Sequence, residues 1–148
     1  MSPSTTPSPS TTPPDKPLYV HSSTVWFDEL DMLGVLHNAR YAIHVERAMT
    51  AWFHSLTGAD PADGHNVVKH YEIEFARPFT RERGELAVEV RLQRLGNTSA
   101  VFAFRCVSQA AGEAEIEHAG GTRTIVKVTP VELRPAPWSE SFRALAAG

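Results

Sequence analysis

The hydrophobic pattern of this chain changes period, and that change limits the fold more than any other feature. Between Asn38 and Gly58, Tyr41, Val45, Ala48, Trp52 and Leu56 recur every three or four positions, with Met49 beside them, while Arg40, Arg47, Thr50 and His54 lie opposite. This spacing predicts one amphipathic helix of about five turns, opened by Asn38 as N-cap and stopped at Gly58. After the polar loop ADPADGHN the period becomes two. Tyr71, Ile73 and Phe75 share a face, as do Leu86, Val88, Val90 and Leu92, and SAVFAFRCVSQ and TRTIVKVT complete a set of four strands. Gly84, Gly96, Asn97, Gly112, Gly120 and Gly121 read as the turns between them. A further strand is expected upstream in LYVHSSTVWF, and a short capping helix or coil after Pro135 to Pro137. One long helix beside a run of antiparallel strands is an α+β layout, in which a curved sheet wraps a single apolar helix.

The chain has 148 residues, enough for one core and too few for two ordinary domains. Residues 1–16 are almost wholly Ser, Thr and Pro, a composition that buries too little apolar area to offset ordering entropy, so a disordered tail ahead of a domain at 17–148 is expected. A mucin-like stalk is the other compositional reading, without an export signal to support it. A net charge of -3 leaves no basic excess for nucleic acid. No apolar run reaches the roughly 18 residues needed to span a bilayer. A soluble, cytoplasmic protein with neither nucleic-acid nor membrane partners is the expectation. Cys106 is the single cysteine and sits in a strand pattern, so it reads as a buried thiol, not a nucleophile.

Chemistry is concentrated in DELDMLGVLHNARY, where Asp31 and Gly34 immediately precede the helix start. The first turn of a helix carries amides without intrahelical partners and a partial positive charge, which polarises a carbonyl placed there and stabilises its oxyanion. A nearby aspartate, ionised at neutral pH, can attack that carbonyl or deprotonate a water. Together they form a minimal acyl-transfer site.

The pattern Asp31-x-x-Gly34-x-x-x-Asn38-x-x-Tyr41, continuing into Glu46-Arg47-Ala48, closely resembles the hotdog thioesterases of the 4-hydroxybenzoyl-CoA thioesterase type. Further landmarks follow in the family's order: Phe75-Ala76-Arg77-Pro78, Gly84-Glu85, Leu95-Gly96-Asn97-Thr98-Ser99 and Arg134-Pro135. The resemblance covers about residues 18–143 and implies a hotdog fold and hydrolysis of an acyl-CoA thioester to free acid and CoA. It implies Asp31 as nucleophile or general base, Gly34 as the turn that admits the thioester, and the amides near Asn38 as the oxyanion site. His37 and Asn38 would orient water or touch the acyl group; apart from the resemblance, Tyr41, Thr98, Ser99 and Arg123 are taken as candidate substrate contacts. No cofactor beyond the CoA of the substrate is implied, and the family's edge-to-edge pairing implies a homodimer or homotetramer with the site at the subunit interface. Glu29, Leu36 and His37 depart from the residues family members often carry there.

Plainer readings stand beside these. Asp31 is also a common turn residue before Gly, and Thr98 and Ser99 fit a strand edge. Arg123 is either a phosphate contact, after Gly120, Gly121 and Thr122, or a solvated strand end. Glu46 flanks the apolar stripe and is expected to pair with an arginine on a neighbouring element. His44 and His54 lie about 80° apart and nearly three turns distant on the helix, so no metal site is expected. Two rival functions remain: a hotdog hydratase or dehydratase using Asp31 and His37 on one water, and a non-catalytic acyl-thioester-binding protein.

Overall fold

The computed structural model describes residues 16–147; the expected disordered tail lies almost wholly outside the described residues. Five strands form one antiparallel sheet: β1 Tyr19–Ser23, β2 Asn66–Phe75, β3 Leu86–Leu95, β4 Ser99–Ser108 and β5 Ile116–Lys127. Their order across the sheet is β1-β3-β4-β5-β2, which places β2 on one edge and β1 on the other. Helix α1, Tyr41–Ser55, packs against this sheet, and a second helix, α2, Glu140–Ala147, follows near the C-terminus. The architecture is the hotdog fold of the α+β class.

The period of the sequence explains the packing. Tyr41, Val45, Ala48, Met49 and Trp52 of α1 are all buried and meet Val88, Val90, Phe102, Phe104, Cys106 and Ile125 on the inner sheet face in one core. Trp52 stands edge-on to Phe102 at 5.3 Å and to Phe142 of α2 at 5.9 Å. Truncating a buried aromatic of this kind to Ala costs about 3 to 5 kcal/mol, so Trp52 alone carries a sizeable share of a typical domain's stability.

Three elements differ from the sequence-based expectation. The first strand is shorter: β1 ends at Ser23, and Phe27–Glu29 form a 3-10 turn. The helix is entered through another 3-10 turn, Asn38–Arg40, so His37 is the capping residue in place of Asn38; its Nδ1 accepts the Ala39 N–H at 3.1 Å. Gly120 and Gly121 are not a turn but the middle of β5, opposite Glu74 and Ile73 of β2. A Cβ at Gly121 would overlap the Glu72 carbonyl, so glycine here permits the close approach of an edge strand instead of reversing the chain.

The far end of the sheet is closed by α2. Asp63 binds Lys127 Nζ at 2.8 Å and accepts the Ser139 hydroxyl at 2.6 Å, and Ser139 Oγ in turn accepts the Phe142 N–H at 3.0 Å as the helix cap. Trp138 then stacks on Phe142 at 4.5 Å. These contacts fix the end of the sheet opposite the loop that carries Asp31. Among the described residues no helix is long and apolar enough to cross a membrane.

Candidate active site

Asp31 sits in a loop tied to itself. Its N–H donates to the Val35 carbonyl at 2.8 Å, and its carbonyl accepts the Gly34 N–H at 3.0 Å. Its Oδ1 accepts the Leu33 N–H at 2.8 Å and the Val35 N–H at 3.2 Å. Gly34 has φ +79°, the left-handed conformation that strains an L side chain, so glycine here is a geometric requirement. Bridges Leu30 to Leu36 and Val35 to Thr80 hold the loop against the body of the domain. The turn role and a chemical role are therefore compatible: Oδ1 serves the loop, while Oδ2 has no protein hydrogen-bond partner among the described residues.

The loop leads straight into the helix start. Arg40 N–H bonds the His37 carbonyl and Ala39 N–H bonds His37 Nδ1, which leaves the Asn38 N–H without an acceptor among the described residues. Asp31, His37, Asn38 and Tyr41 border one cleft of about 430 Å³, closed on its other side by Phe75 and Arg77. Tyr41 is buried and meets Phe75 edge-on at 5.3 Å. Burial pushes its phenol up to about 12, so it stays neutral and offers a hydroxyl, not a charge. His37 Nδ1 is occupied by its capping bond; its exposed ring presents Nε2.

The other expected contacts fall elsewhere. Thr98 and Ser99 stand at the start of β4, the end of the sheet near α2: the Thr98 carbonyl accepts the Lys127 N–H at 2.8 Å and the Ser99 carbonyl accepts Trp138 Nε1 at 3.0 Å. Arg123 is not a solvated strand end. It lies mid-strand in β5 between Tyr71 and Phe102, its side chain is 7% exposed, and it pairs with Glu46 of α1 at 2.8 Å. The arginine partner expected for Glu46 is thus Arg123. It borders a different and larger cleft of about 580 Å³, between α1 and β5, where Glu46 is paired with Arg123 and Asp63 with Lys127. Volume is a poorer guide than chemistry here: the smaller cleft combines a carboxylate oxygen and a helix-start amide that have no protein partners among the described residues.

Two features of the site were not read from the sequence. Phe75 and Arg77 line the cleft, although the run Phe75 to Pro78 served only as a landmark of resemblance. Glu29, two residues before Asp31, is buried and joined to His44 of α1 at 2.6 Å, and His44 meets Ser23 Oγ at 2.5 Å. Burial raises the Glu29 carboxyl, but the Trp26 N–H and His44 outweigh it and hold the group below its ordinary value. Burial lowers His44 more than Glu29 raises it, so the imidazole is neutral at neutral pH. The sequence did carry a signal: His44 lies three after Tyr41 and four before Ala48, on the buried stripe, where a titratable group needs a partner.

Comparison with known proteins bears on the family and the fold. Residues 33–111, a little more than half the chain, match the family model of the thioesterase superfamily. Among solved structures, a thioesterase from Thermus thermophilus, complexed with coenzyme A and Zn, superimposes with a TM-score of 0.72 at 28% identity, over 90% of this chain and 98% of that one. A 1,4-dihydroxy-2-naphthoyl-CoA thioesterase from Synechocystis shares the fold with a TM-score of 0.69 at 14% identity, over 87% and 95% of the two chains. No curated protein sequence matches the chain.

Proposed function

The chain belongs to the thioesterase superfamily and is a thioester hydrolase, and from that premise we propose that it cleaves acyl-CoA thioesters at the Asp31 cleft. The observation that carries the proposal is that one cleft is lined by both Asp31 and Asn38, whose carboxylate Oδ2 and backbone N–H have no protein partner among the described residues. Coenzyme A in the Thermus thermophilus relative supports the CoA moiety.

In the proposed reaction the thioester carbonyl oxygen lies on the Asn38 N–H at the helix start, where the partial positive charge stabilises the oxyanion. Asp31 Oδ2 attacks the carbonyl carbon, the C–S bond breaks, and CoA leaves as thiolate; water then cleaves the acyl-aspartyl anhydride to the free acid and regenerates Asp31. Alternatively Asp31 removes a proton from water, whose oxygen attacks the same carbon, with the same products. Thiolate is a good leaving group, so no general acid is needed. Gly34 keeps the loop in place, and His37 Nε2 and the Tyr41 hydroxyl offer polar contacts to the acyl group or the water.

The chain is proposed to act as a homodimer or homotetramer. Two observations support this: β2 leaves one strand edge unpaired, and Trp26, Phe27, Met32 and Leu33 stand exposed around Asp31. Thr98, Ser99 and Arg123 do not border the Asp31 cleft of their own protomer, so substrate contacts by these residues are proposed only across a subunit interface. The test is release of CoA thiol from a panel of aromatic and short- to medium-chain acyl-CoAs. Turnover of at least one class is expected, whereas binding without release from any of them would overturn the proposal.

A further inference from the structure

Ser23, His44 and Glu29 form a hydrogen-bonded chain in the order hydroxyl, imidazole, carboxylate, at 2.5 and 2.6 Å. The order is that of a hydrolytic triad, but the placement is not. Ser23 is 3% exposed, His44 is fully buried, and none of the three borders the Asp31 cleft, so no thioester reaches the Ser23 hydroxyl. A neutral imidazole beside an anionic Glu29 fixes the tautomer: Nε2–H donates to Glu29 Oε1, and Ser23 Oγ–H donates to Nδ1.

What the chain of groups touches is the backbone of the reacting loop. Glu29 stands two residues before Asp31. Its Oε2 accepts the Trp26 N–H at 2.9 Å, and its carbonyl accepts the His37 N–H, immediately before Asn38, at 3.0 Å. Glu29 is thus bonded twice to the helix side of the proposed site, through its main chain to the residue ahead of the oxyanion amide and through its side chain to α1 at His44, and the chain joins it to Asp31 two residues on. Leu30 and Leu36 bridge beside it. A buried ionic contact is a weak source of stability, because desolvation offsets the attraction, but its directional bonds fix position.

We propose that His44 and Glu29 are positioning residues of the hydrolytic site, setting the separation of Asp31 Oδ2 from the Asn38 N–H, with Ser23 holding the His44 ring. The inference rests on the reading of Asp31 and Asn38 given above. A displacement of about 1 Å in a reacting group can cost about a hundredfold in rate. The groups act through the loop and touch no substrate.

The test compares wild type, His44→Leu and His44→Gln in the full chain, on an acyl-CoA that the wild type turns over, at a temperature where each is folded by circular dichroism. His44→Leu removes the donor to Glu29, and His44→Gln restores an N–H near the Nε2 position. The expected result is a fall in kcat of about 10- to 100-fold in His44→Leu with KM changed by less than about threefold, and recovery of most of that loss in His44→Gln. Amide hydrogen exchange supplies a readout that needs no turnover: Leu33 and Val35, whose N–H groups bond Asp31 Oδ1, should exchange faster in His44→Leu and return toward wild type in His44→Gln. Unchanged kcat and unchanged loop exchange in folded His44→Leu, with only its melting temperature lowered, would overturn the proposal. If His44→Leu does not fold, Glu29→Gln takes its place, with a smaller kcat loss and faster loop exchange expected and no change in either overturning the idea. Wild-type inactivity on every acyl-CoA would sink the hydrolytic reading, while the exchange arm would still decide whether His44 holds the loop.

Discussion

Asp31 and Val35 close on each other twice: the Asp31 N–H donates to the Val35 carbonyl at 2.8 Å, and the Val35 N–H donates to Asp31 Oδ1 at 3.2 Å. The reciprocal pair makes a small ring of the loop, with Gly34 at its tightest point. It aims Oδ2 by fixing Oδ1, which is how a single aspartate can be both turn residue and reacting group.

Gly34→Ala tests that ring. Among the described residues no atom beyond its own chain neighbours lies within 4 Å of the added methyl, so the cost is conformational, at φ +79°. The expected loss is about 1 to 2 kcal/mol of stability, as for other residues forced into the left-handed region. Urea denaturation measures it, and kcat for thiol release should fall in parallel by about tenfold or more as the loop relaxes.

Cys106 should be silent to thiol reagents in the native protein. It is completely buried on the inner face of β4, and burial pushes its thiol up to about 12. Titration with an aromatic disulfide reagent should detect no thiol in the native chain and one after denaturation, which also makes a thiol-release assay free of background from the protein. Fast native labelling would show that the core opens at β4.

Acid should weaken the anchorage of α2. Burial raises Asp63, but Lys127 and Ser139 more than compensate, and its carboxyl lies below the ordinary value of 3.8. Because the folded-state value is the lower one, the stabilisation is fully present above 3.8 and is lost as pH falls from there through the depressed folded value. Asp63→Asn, which leaves Lys127 buried and without its counter-ion, should cost about 3 kcal/mol near neutral pH. In urea unfolding the gap between wild type and variant should narrow below about pH 3.8 and stay constant above it.

Which parts of this were legible in the sequence follows from how local each signal is. The stripe from Tyr41 to Leu56 and the alternations at Leu86 to Leu92 and Tyr71 to Phe75 are properties of single elements, and each element formed where its period placed it. Gly120 and Gly121 misled because the two uses of glycine, reversing a chain and letting another backbone come close, look alike until β2 is laid beside β5. That Asp31, His37, Asn38 and Tyr41 border one cleft was legible because they lie within eleven residues of one another. Arg77 and Phe75 were not assigned to it, since they reach the cleft from another strand end, and Ser23, Glu29 and His44 meet only through tertiary packing. Arg123 was read as either a phosphate contact or a solvated strand end because of its glycine neighbours, whereas it pairs with Glu46, seventy-seven residues away.

The central claim is that the Asp31 carboxylate performs the hydrolysis, and Asp31→Asn is its most direct test. The asparagine oxygen still accepts the Leu33 and Val35 N–H groups, so the loop keeps its shape while the charge is removed. With an acyl-CoA that the wild type turns over, kcat should fall by about 10²- to 10⁴-fold while the substrate still binds within a few-fold of the wild-type affinity. Turnover by Asp31→Asn within about threefold of wild type would contradict the account and place the chemistry at another residue.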